Sequence, residues 1–448
     1  MLETVERIRA AGLVGMGGAG FPTHAKLNAK ISHIIINGME CEPLLCADRY
    51  IMRHMPDSLV TALVRIKGDL GAENATFCLK EEYTEEAAAL EGAIARAHAP
   101  VGIHKTVSFY PAGDEHVVVY EVTGRAIPPM DIPLSVGCVV MNVGTLLAAF
   151  DALEGRPLTA RYVTVTGEVR SPAILKVPIG TSFADCLGAC GGVTRENVVM
   201  ISGGPMMGKS CDIEAAGKTF VGKTTSAILV LPGERYRAAS LDMRQIKQRA
   251  SAACIQCSYC TQLCPRYLLG HPLEPHRIMR KLAYGNLEDL LDDPVLQSAA
   301  LCSECGLCEV YACPMGLQPR SVNALIKREM AKEKIRFPKP VEYSPPHPMR
   351  ESRLAPTKRV AARVGVLPYE GAPLEKLISL ESERVELSLR QGIGAPSAPL
   401  VSAGTRVVAG QLIAACPEDK LGADLHASID GIVREVGESI VIVWEGSV

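Results

Sequence analysis

Two cysteine runs carry the clearest chemistry in this chain of 448 residues. The first run has the pattern C-x2-C-x2-C-x3-C-P and spans Cys254–Pro265, and the second has C-x2-C-x2-C-x4-C-P and spans Cys302–Pro314. This is the spacing of bacterial two-cluster ferredoxins, in which the fourth cysteine of each run ligates the other cluster. The alternative is zinc, which also binds C-x2-C pairs, but no histidine stands at ligand spacing. The sequence therefore predicts two [4Fe–4S] clusters and a role in electron transfer.

The extra residue before Cys313 is compatible with crossed ligation, because this cysteine need not close on its own loop. One cluster is therefore assigned to Cys254, Cys257, Cys260 and Cys313, and the other to Cys264, Cys302, Cys305 and Cys308. The other eight cysteines are predicted to be buried small apolar residues: Cys41, Cys46, Cys78, Cys138, Cys186, Cys190, Cys211 and Cys416.

A glycine-rich segment near the start, G-M-G-G-A-G-F-P over residues 15–22, could approach a ligand closely with its backbone. It formally contains G-x-G-x-x-G, but no strand precedes it and Phe21-Pro22 interrupts the expected helix, so a Rossmann motif is not predicted. Pro22 suits a first helical turn, and Lys26 follows one turn later. The segment predicts a cradle for a phosphate or an isoalloxazine ring.

Three further patterns are interpreted as structural. Residues 203–210 match the P-loop pattern G-x4-G-K-S, but the segment after Ser210 is a poor helix, so no nucleotide site is predicted there. Lys420 stands where a lipoyl-lysine hairpin would carry its lysine, and it is expected to be an exposed surface residue. His271 and His276 are expected to be surface or helix-capping residues.

The overall prediction is a multidomain α/β and α+β protein. Residues 1–155 alternate strand patterns with helix patterns and predict an α/β unit. The next unit, residues 156–232, has a β-β-α-β order and resembles a ubiquitin-like β-grasp module. Residues 233–335 form a helical two-cluster ferredoxin-like domain, residues 336–380 a proline-rich linker, and residues 381–448 an all-β module.

Within these units, individual elements are predicted as follows. Strands are expected at residues 33–37, 75–79, 117–120, 161–168, 173–177 and 197–202, and helices at residues 57–67, 84–98, 182–190, 239–253 and 322–334.

Composition limits the possible partners and location. The 47 Lys and Arg residues nearly balance 49 Asp and Glu, without a basic stripe, so neither nucleic acid nor an anionic membrane is an expected partner. The start lacks an apolar signal segment, and residues 136–150 are too short and interrupted to span a bilayer. We expect a soluble cytoplasmic protein without direct membrane insertion, in which sixteen cysteines favour metal binding over disulfides.

Four segments resemble the NADH-binding flavoprotein subunit of respiratory complex I, in the same order along the chain. They are G-G-A-G-F-P-T-x-x-K at residues 17–26, N-G-M-E-C-E-P at 37–43 ending in Asp48-Arg49, Y-P-A-G-D-E at 110–115, and V-M-N-V-G-T-L at 140–146. The resemblance implies that FMN is held by Gly17, Gly18, Gly20, Lys26, Asn37, Glu40, Gly113, Asn142 and Thr145. It also implies that Phe21, Glu42 and Glu115 shape the nicotinamide site, with the two glutamates as catalytic residues.

The resemblance continues through the β-grasp and two-cluster regions and is similar to the C subunit of Rnf electron-transport complexes. In that subunit the barrel-sandwich module is N-terminal, whereas the matching motifs here, such as H-A-S-I-D-G at residues 426–431, are C-terminal. This order resembles the cobalamin reductases of propanediol-utilisation microcompartments. It implies electron flow from NADH through FMN and two [4Fe–4S] clusters to cobalamin, reduced towards cob(I)alamin.

The same resemblance implies a corrinoid adenosyltransferase partner, and contact with microcompartment shell or cargo proteins within a bacterial microcompartment. Two alternatives remain open. The chain could be the peripheral electron-input subunit of an Rnf-like membrane complex, or a non-enzymatic iron–sulfur electron carrier.

Overall fold

Four groups of elements follow one another along the chain. The computed structural model describes residues 3–236, 243–285, 291–339, 342–371, 373 and 375–446. The first four residues of the helix expected at 239–253 lie outside these ranges, and so does Pro340 of the expected linker. No helix in the described ranges combines the length and the apolar character needed to cross a bilayer.

The first group is a four-stranded parallel sheet with helices around it, in the strand order β3-β2-β1-β5. Its first strand is fully apolar at its centre and buries Ile34, Ile35 and Ile36 completely, as expected for a parallel sheet covered on both faces. The elements are α1 Glu3–Ala10, α2 Thr23–Leu27, β1 His33–Asn37, α3 Ala47–His54, α4 Pro56–Leu70, β2 Asn74–Lys80, α5 Thr84–Ala97, β3 Gly102–Thr106, β4 Phe109–Tyr110, α6 Glu115–Thr123, β5 Cys138–Asn142 and α7 Val143–Leu153.

The strand predicted at residues 117–120 is wrong, because these residues belong to helix α6. Their β-branched sequence, Val-Val-Val-Tyr, favours a strand locally. The Asp114 side chain instead accepts hydrogen bonds from the backbone N–H groups of His116 and Val117 and caps a helix. That helix buries Val117, Val118 and Val119, so tertiary burial and the cap together override the local preference.

The second group is a mixed six-stranded sheet in the order β12-β7-β6-β10-β8-β9, in which β12 is Leu377–Ser379 from the later part of the chain, and one helix packs on it. Its elements are β6 Ala160–Gly167, β7 Ala173–Pro178, α8 Phe183–Ala189, β8 Val198–Ser202, β9 Lys209–Asp212, β10 Ala227–Pro232 and α9 Gly233–Tyr236. The bounds of β6, β7, α8 and β8 differ by only one residue from the predicted elements, whereas β9, β10 and α9 were not predicted. The P-loop-like segment runs directly into strand β9 rather than a helix, as its interpretation as structural required.

The third group is helical and holds both cysteine runs. Its helices are α10 Met243–Ala253, α11 Tyr259–Gln262, α12 Pro265–Leu268, α13 Pro275–Tyr284, α14 Pro294–Gln297 and α15 Pro319–Lys332, and Leu307–Ala312 forms a π-helical turn. Ile278, Leu296, Val322 and Ile326 are fully buried at the centre of this group. The cysteine loops are thus attached to a packed helical core.

The proline-rich segment expected to be a linker contains ordered structure. Its short strand β11 Ala355–Pro356 pairs with β4, and helix α16 Thr357–Val364 follows at once. Val360 and Ala361 are completely buried in a core that also contains Tyr110 and Cys305. The high proline content led to the prediction of a linker, although the short helix α16 has one apolar face. This face packs the segment against the first and third groups.

Short strands form the tail: β12 Leu377–Ser379, β13 Arg384–Ser388, β14 Ala398–Pro399, β15 Arg406–Val407, β16 Leu412–Ala415, β17 Leu425–His426, β18 Gly431–Val436 and β19 Ser439–Val443. Strand β12 joins the β-grasp sheet, and the remaining strands form two small sheets, in agreement with the predicted all-β module. Val385, Ile413 and Ile440 belong to the same continuous core as the first group. The tail is therefore packed against the first group.

Candidate functional site

A cavity of about 1090 Å³ lies where the first group, the β-grasp sheet and the tail meet. Ligand cavities commonly measure about 300–1,000 Å³, so this one has room for a nucleotide-sized ligand. Seven of the predicted site residues line it: Gly17, Gly18, Asn37, Glu40, Glu42, Gly113 and Asn142.

The parallel pairing of β1 with β5 explains why two of these residues meet. Asn37 and Asn142 end the two strands and stand opposite each other in the register. The Asn37 side chain donates to the Gly113 carbonyl at 2.9 Å, and the Asn142 side chain accepts from the Thr145 N–H at 3.2 Å. Both amides lie at the carboxyl edge of the sheet, which is where open α/β sheets bind their ligands.

The glycine loop lies directly over this edge. A Cβ added to Gly17 would come within 3.1 Å of the Asn142 Cβ, so only glycine allows this approach without displacement. Gly18 has open space on its Cβ side and lines the cavity. The backbone here therefore presents a cradle without side chains, which fits the flavin expected from the sequence.

Three carboxyl groups in the cavity wall have raised pKa values. Burial raises the pKa of Glu42 to about 7. Burial also raises the pKa of Glu40 and of Asp48, and the charge of Asp48 adds to the shift at Glu40. The buried Arg161 partly offsets the shift at Asp48, and its own pKa is lowered to about 10 by burial. Carboxyl groups tuned in this way can hold protons near neutral pH.

Glu40 has a second, structural role. Its two carboxylate oxygens accept from the backbone N–H groups of Asp48 and Arg49, at 3.1 and 3.3 Å, and so cap the start of α3. Its φ of 35° lies in the left-handed region, which is unfavourable for a glutamate. Such strain persists only where the surroundings fix it, as at a binding site.

Five predicted site residues do not line the cavity: Gly20, Phe21, Lys26, Glu115 and Thr145. The Lys26 ammonium donates to the Val140 carbonyl at 2.8 Å and pairs with Glu115. The Thr145 hydroxyl accepts from the Met16 N–H at 2.9 Å and so braces the glycine loop. Of these residues only Thr145 bonds the loop itself, while Phe21 is 39% exposed and Gly20 faces the tail.

Other lining residues were missed in the sequence. The P-loop-like segment contributes Gly203, Gly204 and residues 207–209, and the tail contributes Arg390, Gly392 and Ile393. A Cβ on Gly204 would lie 2.0 Å from Glu42, which explains the glycine at this position. The glycine signal of the P-loop-like segment was visible but was interpreted as structural only, whereas Arg390 carries no local signal.

The eight predicted ligand cysteines form two groups in the crossed arrangement. Cys254, Cys257, Cys260 and Cys313 line one small cavity, which we call the outer group. Cys264, Cys302, Cys305 and Cys308 line a second one, the inner group. Burial raises the pKa of Cys260 to about 12, and the Cys313 thiol is the next largest cause of this shift. Each group thus combines three cysteines of one run with the last cysteine of the other.

The spacing within these groups fits clusters better than single ions. Within the described ranges, no three His, Cys, Asp or Glu side chains approach closely enough to bind one metal ion. A tetrahedral zinc ion would draw four thiolates to about 2.3 Å from a single centre. A [4Fe–4S] cluster binds each thiolate at a different iron, so its ligands stand further apart.

The positions of His271 and of three of the eight other cysteines differ from the prediction. His276 lines the outer group and contacts the Thr261 hydroxyl at 2.7 Å, while His271 is buried against the Ile127 carbonyl rather than at the surface. Of the eight other cysteines, five are buried, but Cys41, Cys211 and Cys416 are only half-buried. Cys41 lines the large cavity between Glu40 and Glu42.

Tyr110 connects the large cavity to the inner group. Its hydroxyl lies 3.2 Å from a Glu42 carboxylate oxygen and donates to the Cys305 carbonyl at 2.6 Å. A second connection runs through Met206, whose N–H donates to Glu42 at 2.9 Å and whose carbonyl accepts from Arg320 at 3.0 Å. Arg320 in turn lines the inner group. The two sites therefore share a buried, hydrogen-bonded wall.

Four family models match successive parts of the chain. They are the Nuo51 FMN-binding domain over residues 8–151, the SLBB domain over 162–210, the 4Fe-4S dicluster domain over 253–318 and the RnfC barrel sandwich hybrid domain over 371–446. They agree with the predicted fold class and with the positions of the large cavity and the cysteine groups.

Relatives and a solved structure extend this match. The cobalamin reductase PduS of Citrobacter freundii is 40% identical over 98% of this chain and 96% of its own length. The Salmonella typhimurium protein of the same name is also 40% identical, over 99% and 97%. A crystal structure of an NAD+-reducing [NiFe]-hydrogenase shares the fold with a TM-score of 0.50 and 20% identity, covering 79% of this chain and 63% of that one. The chain belongs to the cobalamin reductase PduS family and is a flavin and iron–sulfur electron-transfer oxidoreductase.

Proposed function

We propose that the protein carries electrons from NADH through FMN and two [4Fe–4S] clusters to a corrinoid, which is reduced towards cob(I)alamin. The Tyr110 hydroxyl, bonded to both Glu42 and the Cys305 carbonyl, is the observation that carries this proposal. It joins the cavity suited to a flavin with the cysteine group suited to a cluster. The corrinoid acceptor is supported by the near full-length similarity to proteins named cobalamin reductase.

In this proposal the large cavity holds FMN and receives NADH. Gly17, Gly18, Asn37, Gly113 and Asn142 provide a backbone and amide surface for the flavin. FMN bound there would supply the conversion between two-electron and one-electron transfer. Glu40 and Glu42, whose pKa values burial raises, hold or release the accompanying protons at the cavity wall.

The inner and outer groups have distinct positions in the path. The inner group shares the wall of the large cavity through Tyr110 and Met206, so its cluster would receive electrons first. The outer group carries Ile255 and Met315 in its lining, and these side chains are 63% and 41% exposed. Its cluster would therefore deliver electrons to the acceptor at the protein surface.

Membership of this family also supports a place for the protein in propanediol utilisation. We propose that a corrinoid adenosyltransferase consumes the reduced corrinoid, because cob(I)alamin is a strong nucleophile that needs a prompt reaction partner. A location inside a bacterial microcompartment, next to shell or cargo proteins, would keep the two enzymes close together.

Replacing Glu40 tests the flavin site. Glu40→Ala removes the two hydrogen bonds that cap α3 and fix this part of the cavity wall, and we expect FMN to bind about tenfold more weakly, since each such bond contributes about 0.5–1.5 kcal/mol. The iron content should not change. The measurements are released flavin and iron per chain, with the exposed Glu73→Ala in the same domain as control. Wild-type flavin content in Glu40→Ala would show that the site is assigned wrongly.

Removing one ligand from each cysteine group tests the order of the path. In Cys302→Ala, NADH should bleach the flavin without reducing the outer cluster, because the inner group lies between them. In Cys257→Ala, NADH should still reduce the inner cluster, while electron delivery to the acceptor falls at least about tenfold, a barrier change of about 1.4 kcal/mol.

Visible spectra and low-temperature EPR after anaerobic mixing provide the readout for both variants. Cys211→Ala, a cysteine outside both groups, is the matched control and should behave as wild type. Outer-cluster reduction at the wild-type rate in Cys302→Ala would contradict the proposed order.

Anaerobic mixing of the purified protein with NADH and hydroxocobalamin tests the acceptor. The visible spectrum should show bleaching of the flavin and clusters, followed by the bands of reduced cobalamin, in amounts that track the NADH consumed. Protein stripped of iron by a chelator is the control and should leave cobalamin oxidised. Bleached flavin and clusters beside unchanged cobalamin would exclude the corrinoid and leave only the general electron-transfer function.

A further inference from the structure

A four-residue segment of the tail, Arg390–Ile393, packs against the back of the glycine loop. The Gly20 and Gly392 backbones approach so closely that a Cβ on Gly20 would lie 2.7 Å from the Gly392 Cα. The Ile393 N–H donates to the Ala19 carbonyl at 3.1 Å. The tail and the loop therefore touch along their backbones, without intervening side chains.

The segment is fixed from the other side by the β-grasp module. The Lys223 backbone N–H donates to the Gln391 side chain at 2.9 Å, and the Gln391 amide donates to the Ser388 carbonyl at 3.0 Å. The Lys223 ammonium is fully buried and donates to the Gly12 carbonyl at 2.8 Å and to the Asp424 carbonyl. Lys223 thus joins the three modules beside the cavity. Because its backbone also bonds Gln391, the neighbouring Arg390 has a well-defined position.

The lining cations that have no ion-pair partner point to an anionic ligand. Lys176, Lys209 and Arg390 line it, and none of them forms an ion pair with another residue in the described part of the chain. Two further lining cations already have partners: Arg156 is paired with Asp151, and the buried Arg161 donates to the Thr225 carbonyl at 3.1 and 3.2 Å. Arg390 is the lining cation that stands next to the backbone contact with the glycine loop. Guanidinium groups bind phosphate oxygens in a bidentate manner, which a lysine cannot do.

We propose that Arg390 of the C-terminal module is a binding residue for a phosphate group of the nucleotide held in the cavity, and that Gly392 keeps the glycine loop in its binding conformation. This rests on the proposed function for the presence of nucleotides in the cavity. The phosphate belongs either to FMN or to the pyridine dinucleotide. In both cases the all-β tail completes the flavin site, instead of forming a separate module.

Binding measurements on the full-length protein test this proposal independently of corrinoid reduction. Flavin-free Arg390→Ala is titrated with FMN and with riboflavin, and flavin-loaded Arg390→Ala with NAD+. Loss of a charge-assisted bond predicts a Kd increase of about 10- to 100-fold for one phosphate-bearing ligand. An increase for FMN but not riboflavin assigns the flavin phosphate, and an increase for NAD+ alone assigns the dinucleotide.

Two further variants complete the design. Arg384→Ala removes an exposed arginine that does not line the cavity, and it should leave all three Kd values unchanged. Gly392→Ala places a Cβ 2.4 Å from the Gly20 carbonyl oxygen and should weaken FMN and riboflavin alike. Changes below twofold for all ligands in Arg390→Ala, with wild-type melting temperature and iron content, would overturn the phosphate assignment. Wild-type flavin affinity in Gly392→Ala would overturn the role of the loop contact.

Discussion

The side chain of Glu42 is the point on which the two redox sites depend. It lines the large cavity, accepts from the Met206 N–H and lies within hydrogen-bond distance of the Tyr110 hydroxyl. Burial raises its pKa to about 7, so its proton is held loosely near neutral pH. Because Tyr110 also bonds the Cys305 carbonyl, the flavin side and the inner cysteine loop are kept in a fixed relation. A glycine at position 204 is required for this contact, since any side chain would overlap the carboxylate.

The modules are arranged around this contact. The β-grasp sheet supplies the loop with Met206, the proline-rich segment packs beside Tyr110 and Cys305, and the tail supports the glycine loop from outside. Each module contributes side chains or backbone to the wall shared by the two sites. The arrangement of these sites therefore depends on contacts between modules more than on the order of the modules along the chain. The barrel-sandwich module can therefore serve from its position at residues 371–446.

The sequence predicted best what depends on local spacing. The spacing of the two cysteine runs predicts their grouping, and strand β1 was predicted with its end at Asn37. Strand β5, which ends at Asn142, was not predicted. Local patterns failed where packing decides the outcome. Helix α6 contains a β-branched run, and the segment around Val360 was hidden by its prolines.

Arg390 could not be found at all, because no pattern connects it with a glycine loop about 370 residues away. Lys26 and Thr145, predicted as ligands of the flavin, do not line the cavity: Lys26 bonds the Val140 carbonyl and Thr145 bonds the Met16 N–H of the glycine loop.

The most direct test of the central claim is an EPR spectrum of the anaerobically reduced protein, recorded together with its iron and zinc content. The inner and outer groups are neighbours, since Cys260 of the outer group and Cys264 of the inner group stand four residues apart on the same short segment. Two clusters held so close together should interact magnetically. The account predicts iron for two [4Fe–4S] clusters per chain and a spectrum broadened by spin coupling between them. Zinc in place of iron, or a single uncoupled cluster, would contradict it.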